Sequence, residues 1–194
     1  LLARWTALRN ERSSWYTHWA ELTDYLLPRS GRYFVSDRNK GDRRHNNIYD
    51  STATLALKVL GAGMMAGNTS PTKPWFRLMT ADPDLNEYEP VKLWLGKVER
   101  KIMRVFDQSN TYPSLHQMYE EIGAFGTACN IILPDYHTVI HHYPVTIGEF
   151  AIAQDYQGKV CTLYREFDKT VGEIVREFGI DNCSRQVRTA YNQG

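Results

Sequence analysis

Three groups of residues in this 194-residue chain have side chains or spacings that could do chemistry. The first is Gly61-x-Gly63-x-x-Ala66, which has the form of a dinucleotide-binding turn. Such a turn must follow a strand and open a helix, so that the backbone can approach a pyrophosphate. Here it comes late in an apolar helical run, and no acidic partner sits at the right distance in a βαβ unit. The pattern therefore does not favour a nucleotide site.

The second and third groups are histidines and carboxylates. His137, His141 and His142 invite a metal interpretation. Neighbouring residues on a strand point to opposite faces, so only one of His141 and His142 could join His137, and no thiol or carboxylate completes a ligand set.

Glu120 and Glu121 are adjacent on a predicted helix, where neighbours point apart. This spacing argues against an acid–base pair.

The cysteines and the charge balance narrow the function further. Cys129, Cys161 and Cys183 are too few and too scattered for a disulfide framework, and no CxxC motif occurs. The net charge of +1 gives no general basicity toward nucleic acid. No apolar run is long enough to span a membrane, and no signal peptide is visible. We therefore expect a non-enzymatic protein with no catalytic residue, no metal and no cofactor.

A basic loop over residues 28–47 is the first candidate binding element. Its arginines and lysine greatly outnumber its acidic residues, and Tyr33 and Phe34 interleave with them. A loop of this kind either contacts phosphate or an acidic neighbouring surface, or is a solvated loop with no specific role. The candidates for a subunit or DNA contact are Arg29, Arg32, Arg38, Lys40, Arg43 and Arg44.

The second candidate element is a helix crowded with small residues and followed by an aromatic exit, within residues 46–78. Glycine inside a helix costs about 1 kcal/mol relative to alanine, and several together suggest the close approach of another backbone. We expect Trp75 and Phe76, in a short strand over residues 75–79, to fix the chain where it leaves the helix. The predicted packing seam comprises Gly61, Gly63, Ala66, Gly67, Trp75 and Phe76.

Hydrophobic periodicity predicts an α+β fold. Long amphipathic helices are expected over residues 1–27, from residue 47 or 50 to 67, over residues 91–108 and from Pro113. From residue 128 the period changes to that of strands, and turn signals indicate an antiparallel β meander. The predicted organisation is therefore a mainly helical region over residues 1–127, antiparallel strands over 128–167 and a helical segment over 168–194. The chain begins without Met and stops inside a predicted helix, so we expect a fragment of a longer protein.

Four sequence blocks, in one order along the chain, resemble the head-to-tail connecting protein family of short-tailed phages. They are NIYDSTA at residues 47–53; GMMAG at 63–67 with TSP at 69–71 and PWFRL at 74–78; EIGAFGT at 121–127; and HYP at 142–144, IG at 147–148 and YREF at 164–167. The resemblance covers nearly the whole chain.

The resemblance implies a structural portal in the virion, at one vertex of the capsid. Such portals are rings of about twelve subunits, assembled in the bacterial host cytoplasm, through which double-stranded DNA is packaged and later leaves. The implied partners are further copies of the chain, major capsid and scaffolding proteins, terminase and tail adaptor proteins. The present residues would be the wing-like region, with the channel-lining stem beyond residue 194. The alternative interpretation is a nucleic-acid-binding module that uses the basic loop at residues 29–44.

Overall fold

A computed structural model describes residues 2–28 and 48–193. It confirms the α+β class: within the described residues, six helices are followed by two small antiparallel sheets of two strands each and then by two further helices. The helices are α1 (Leu2–Glu11), α2 (Ser13–Tyr25), α3 (Thr52–Asn68), α4 (Pro83–Glu87), α5 (Glu89–Gln108), α6 (Thr111–Phe125), α7 (Val171–Phe178) and α8 (Arg185–Asn192). The strands are β1 (Cys129–Asp135), β2 (Val139–Val145), β3 (Phe150–Gln154) and β4 (Val160–Arg165). Within the described residues, no helix is both long enough and apolar enough to cross a bilayer.

The first helix is divided where the sequence predicts continuity. The prediction of one helix over residues 1–27 is wrong, because α1 ends at Glu11 and α2 begins at Ser13. Arg12 stands at the break with φ −88° and ψ 2°, and its guanidinium donates a hydrogen bond to the carbonyl oxygen of Phe150. The break thus directs α1 toward β3 and α2 toward α6. The end of α1 therefore coincides with a long-range contact of Arg12, which hydrophobic periodicity cannot predict.

Local capping accounts for several other helix boundaries. Asp50 accepts hydrogen bonds from the backbone N–H and the hydroxyl of Thr52, where α3 begins, and these bonds lower the pKa of Asp50. Thr170 and Glu173 form a reciprocal capping box at the start of α7. Gly126 ends α6 in the left-handed conformation, with φ 75°.

The strands pair as two separate hairpins, whereas the sequence predicted one meander. β1 and β2 are in antiparallel register from Cys129 opposite Val145 to Asp135 opposite Val139. Residues 146–149 then turn the chain before β3, which pairs with β4. The predicted strand at residues 75–79 is not formed: this segment has no strand pairing among the described residues, and Glu99 accepts the backbone N–H of Leu78 at 2.7 Å.

The main core lies beneath α2 and the turn between the hairpins. Trp19, Val145, Ile147 and Phe150 are buried together, and Phe125 of α6 packs against them. Aromatic and β-branched side chains of this size supply most of the burial energy of a small core. The chain divides into two compact units, Leu1–Tyr164 and Arg165–Gly194, and this core belongs to the first. The second unit contains α7, a 3₁₀ turn at Ile180–Asn182 and α8.

Candidate functional site

The small-residue helix α3 packs on α6 through a pair of glycines, one on each helix. Gly61 is buried, and a Cβ added there would lie 3.0 Å from Glu120 Cγ. A Cβ at Gly123 would lie 3.0 Å from Leu57 Cδ1 and 3.1 Å from Leu60 Cδ2. The absence of both side chains allows the close approach of the two helices. Gly123 was not among the predicted seam residues. Its place among larger side chains in α6 was a signal of close packing at that position.

The other predicted seam residues of α3 face outward. A Cβ added at Gly63 or Gly67 meets nothing within 4 Å among the described residues, and Ala66 is exposed. Their predicted contact with another backbone is therefore not made by the described part of this chain. The contact of Gly63, Ala66 and Gly67 with another backbone stays a prediction, and that backbone would belong to a second molecule.

The aromatic exit is docked on α5 and α6. The ring of Trp75 stacks on that of Phe106 with centroids 5.7 Å apart and 15° between planes, and Phe76 meets both rings edge-on. Trp75 Nε1 also lies 3.5 Å from the hydroxyl oxygen of Tyr112 on α6. This three-ring cluster joins the segment after α3 to the next two helices. The sequence identified two of its members, whereas Phe106 was assigned only to the apolar side of a helix.

The strand alternation separates His141 from His142, and His137 lies in the turn between β1 and β2. His137 and His141 are exposed, whereas His142 is buried with Nδ1 2.7 Å from the side-chain amide nitrogen of Asn130. Burial, and then the neighbouring His141, lower the pKa of His142. In the described part of the chain, no three His, Cys, Asp or Glu side chains are grouped so as to hold a metal ion.

Asn110, in the link between α5 and α6, ties the helices to β2. Its side chain donates to the carbonyl oxygen of His142 at 2.7 Å and accepts from the His142 N–H at 2.8 Å. One amide thereby satisfies two backbone groups of β2, as a partner strand would. Sequence reasoning missed this role, because an Asn before a helix is equally well explained as a local cap.

The two neighbouring glutamates of α6 have different environments. Glu120 packs on Gly61 and lies 3.8 Å from His116 Nδ1. Glu121 is only 3% exposed, and its carboxyl faces the turn at residues 146–149. Neither carboxyl oxygen of Glu121 makes a well-formed hydrogen bond within the described residues.

The buried carboxyl of Glu121 has a strongly altered acidity. Burial, with a smaller contribution from the charge of Glu149, raises the pKa of Glu121 to about 7. The Thr146 hydroxyl, the Ile147 N–H and Gln117 oppose this shift without overcoming it. This carboxyl can hold a proton near neutral pH, and its environment is that of a packing group beneath a turn.

Comparison with known proteins adds an assignment for the whole chain. Residues 1–194 match the family model described as bacteriophage head to tail connecting protein. The chain belongs to this family. It is 59% identical over 194 residues to the probable portal protein of Bordetella phage BPP-1. It is 43% identical over the same length to the portal protein of Salmonella phage epsilon15. In both comparisons all of this chain is matched, and it spans 35% of the relative's length.

Two of the blocks by which the chain resembles the head-to-tail connecting family meet in the structure. The block at residues 121–127 supplies Glu121 and Gly123, and the block at residues 142–148 supplies the turn that covers Glu121. Their juxtaposition joins α6 to the hairpins. The basic loop, with Arg29, Arg32, Arg38, Lys40, Arg43 and Arg44, lies outside the described residues, and its contact role stays a prediction.

Proposed function

We propose that this chain is the N-terminal part of a phage portal, a structural ring at one vertex of the capsid. Double-stranded DNA is packaged through the ring and leaves by the same route toward the tail. The observation that carries this proposal is the match of every residue to the head-to-tail connecting family, together with two relatives named as portal proteins.

The surface of the described residues is consistent with assembly. Large apolar side chains stand out on α3 and α5, where Val59 is 72% exposed and Trp94 is 62% exposed. Exposed groups of this kind are typical of surfaces that are covered by other proteins. In the proposed virion the neighbours are further copies of the chain, about twelve in one ring, and major capsid, scaffolding and tail adaptor proteins. A terminase supplies the ATP hydrolysis for packaging, so the portal itself needs no catalytic residue.

The proposed organisation of the chain follows the same reasoning. Residues 1–127 form a mainly helical wing, residues 128–167 supply strands, and residues 168–194 begin the next region of the longer protein. The basic loop at residues 28–47 contacts a neighbouring subunit or DNA. The ring assembles in the cytoplasm of the bacterial host before it is incorporated into the virion.

Electron microscopy of the full-length portal tests this proposal. We expect negatively stained particles to show closed rings with a central channel. A protein that forms only monomers or two-fold dimers, over a range of protein and salt concentrations, contradicts it. A matched measurement of the molecular mass in solution distinguishes rings formed in solution from rings induced by the support film.

A further inference from the structure

The outer side of α5 carries a row of positive charges. Helix α5 directs its apolar side toward the rest of the chain, where Phe106 meets Trp75 and Phe76. Its opposite side bears a groove of about 320 Å³, whose lining residues all belong to α5 and include Trp94 and Val98. We name the four exposed cations of this groove the cationic ridge: Lys97, Arg100, Lys101 and Arg104.

The cationic ridge has no ionic partner within the described residues. No carboxylate in residues 2–28 or 48–193 forms an ion pair with any of its four side chains. The spacing of Lys97, Lys101 and Arg104 places them on one side of the helix, so that their charges add on that side. Arginines beside an exposed tryptophan are typical of a protein contact, because tryptophan and arginine are enriched where partners bind.

The chain carries a second unneutralised patch of the opposite sign. The acidic segment comprises Asp82, Asp84, Glu87 and Glu89, which are all exposed and form no ion pair with a described residue. Asp82 accepts a hydrogen bond from the backbone N–H of Asp84 at 3.0 Å, which starts α4. That bond uses one oxygen atom of one carboxylate, so the segment keeps its negative charge.

These two patches do not neutralise each other within one molecule. Glu89 begins α5, and the helical rise places Lys97 roughly 12 Å farther along the axis. We propose that the cationic ridge is a subunit contact that receives the acidic segment of a neighbouring copy of this chain. The contact joins two different surfaces, so each copy offers one of them to each side, as closure of a ring requires. This inference rests on the proposed portal function and names a contact within its ring.

The position of the acidic segment favours a protein partner over a nucleic acid. Duplex DNA lying along α5 would extend from the cationic ridge onto Glu89 and the acidic α4, where its phosphates are repelled. An acidic protein segment of matching size meets no such conflict. Trp94, 62% exposed beside the ridge, and Leu93, 56% exposed, add apolar surface for such a partner to cover.

Charge reversal in the full-length protein tests the contact from both sides. One variant carries Lys97→Glu and Lys101→Glu, a second carries Asp84→Lys and Glu87→Lys, and a third combines all four changes. We expect each double variant to raise the protein concentration at half-assembly by about tenfold or more, because like charges then face each other. The combined variant restores opposite charges and is expected to recover most of the assembly. Mass photometry measures the assembled fraction.

Lys92→Glu is the matched control, because Lys92 is an exposed lysine of the same helix that does not line the groove. It is expected to assemble as the wild type does. The contact is refuted if both double variants assemble normally, or if the combined variant fails to recover. The contact is also refuted if the Lys97→Glu and Lys101→Glu variant assembles normally but no longer binds a short duplex DNA that the wild type binds. A wild-type protein that never forms rings refutes the portal function itself, whereas unaffected variants of a ring-forming protein refute only this contact.

Discussion

Helices α5 and α6 follow one another in the chain, but they occupy opposite environments. Helix α6 has four buried side chains, of which Thr111, Ser114 and Glu121 are polar. Helix α5 has 20 residues and none that is fully buried. Both helices contact Trp75, through the ring of Phe106 on α5 and the hydroxyl of Tyr112 on α6. The difference shows that α6 is the helix on which the hairpins and α3 pack, whereas α5 keeps one side available to another molecule.

The largest expected difference between the two environments concerns their aromatic side chains. Phe150, which is 2% exposed beneath α2 and α6, is compared with Trp94 on the outer side of α5. Phe150→Ala is expected to lower the free energy of unfolding by about 3–5 kcal/mol, because it leaves a cavity in the core. Trp94→Ala should change it by less than about 0.5 kcal/mol. Chemical denaturation measures both values, and equal losses would contradict the assignment of Phe150 to an internal core and of Trp94 to an external side of α5.

The next expected effect is a pH dependence that arises on α6. The pKa of Glu121 is raised to about 7 from 4.5, so the native state retains a proton that the unfolded chain releases between these values. Stability should therefore fall as the pH rises through this window, and then level off above it. The loss is at most about 3 kcal/mol, from the size of the shift.

Replacing the carboxyl tests the origin of this pH dependence. Glu121→Gln keeps the size of the side chain and removes its charge, so it should flatten the pH profile and stabilise the protein at pH 8. The exposed Asp107 of α5 supplies the matched control, because Asp107→Asn removes a carboxyl without burial. Unfolding free energies of the wild type and both variants, measured from pH 5 to pH 8, show whether Glu121 causes the pH dependence. An unchanged slope in Glu121→Gln would assign the pH dependence to other groups.

Substitutions at two glycines of α3 should have smaller effects on stability, and they test which side of α3 packs on α6. Gly61→Leu is expected to cost about 1–3 kcal/mol, because the added side chain enters the contact with Glu120 on α6. Gly63→Leu has open space in this chain and should be neutral or stabilising by about 1 kcal/mol, through improved helix propensity. Thermal unfolding of the two variants compares the two sides of one helix. If Gly63→Leu is the more destabilising, the orientation of α3 is wrong.

Assembly of the same two variants sharpens that result. Gly63→Leu should reduce ring formation only if a second molecule approaches the outer side of α3, as the predicted seam requires. A normal ring with Leu at position 63 would remove Gly63 from that seam.

The cationic ridge is expected to contribute little to stability. Lys97→Glu with Lys101→Glu should alter the unfolding free energy by less than about 1 kcal/mol, because both side chains are exposed. Denaturation below the assembly concentration measures this directly. A large loss would show that the two lysines support α5 itself, and their effect on assembly would then be indirect.

Much of the local structure was predictable from the sequence. The extents of α3 and α5, and the capped helix at Val171–Phe178, follow from side-chain period and capping residues, which act over a few neighbouring positions. The change from helices to strands near residue 128 was also predictable, and with it the α+β class. Local patterns suffice wherever the competing structures differ within one or two turns of the chain.

Only the tertiary structure decided which of these local features face one another. Periodicity could not divide the first helix at Arg12, because the hydrogen bond to Phe150 joins residues 138 positions apart. Composition could not select Gly61 over Gly63, since both are glycines of one helix and only Gly61 meets α6. Likewise, Glu120 and Glu121 are identical in the sequence, but the turn that buries Glu121 comes from a distant segment. The sequence determined the elements because their energetics are local, whereas long-range packing determined which side of each element is internal.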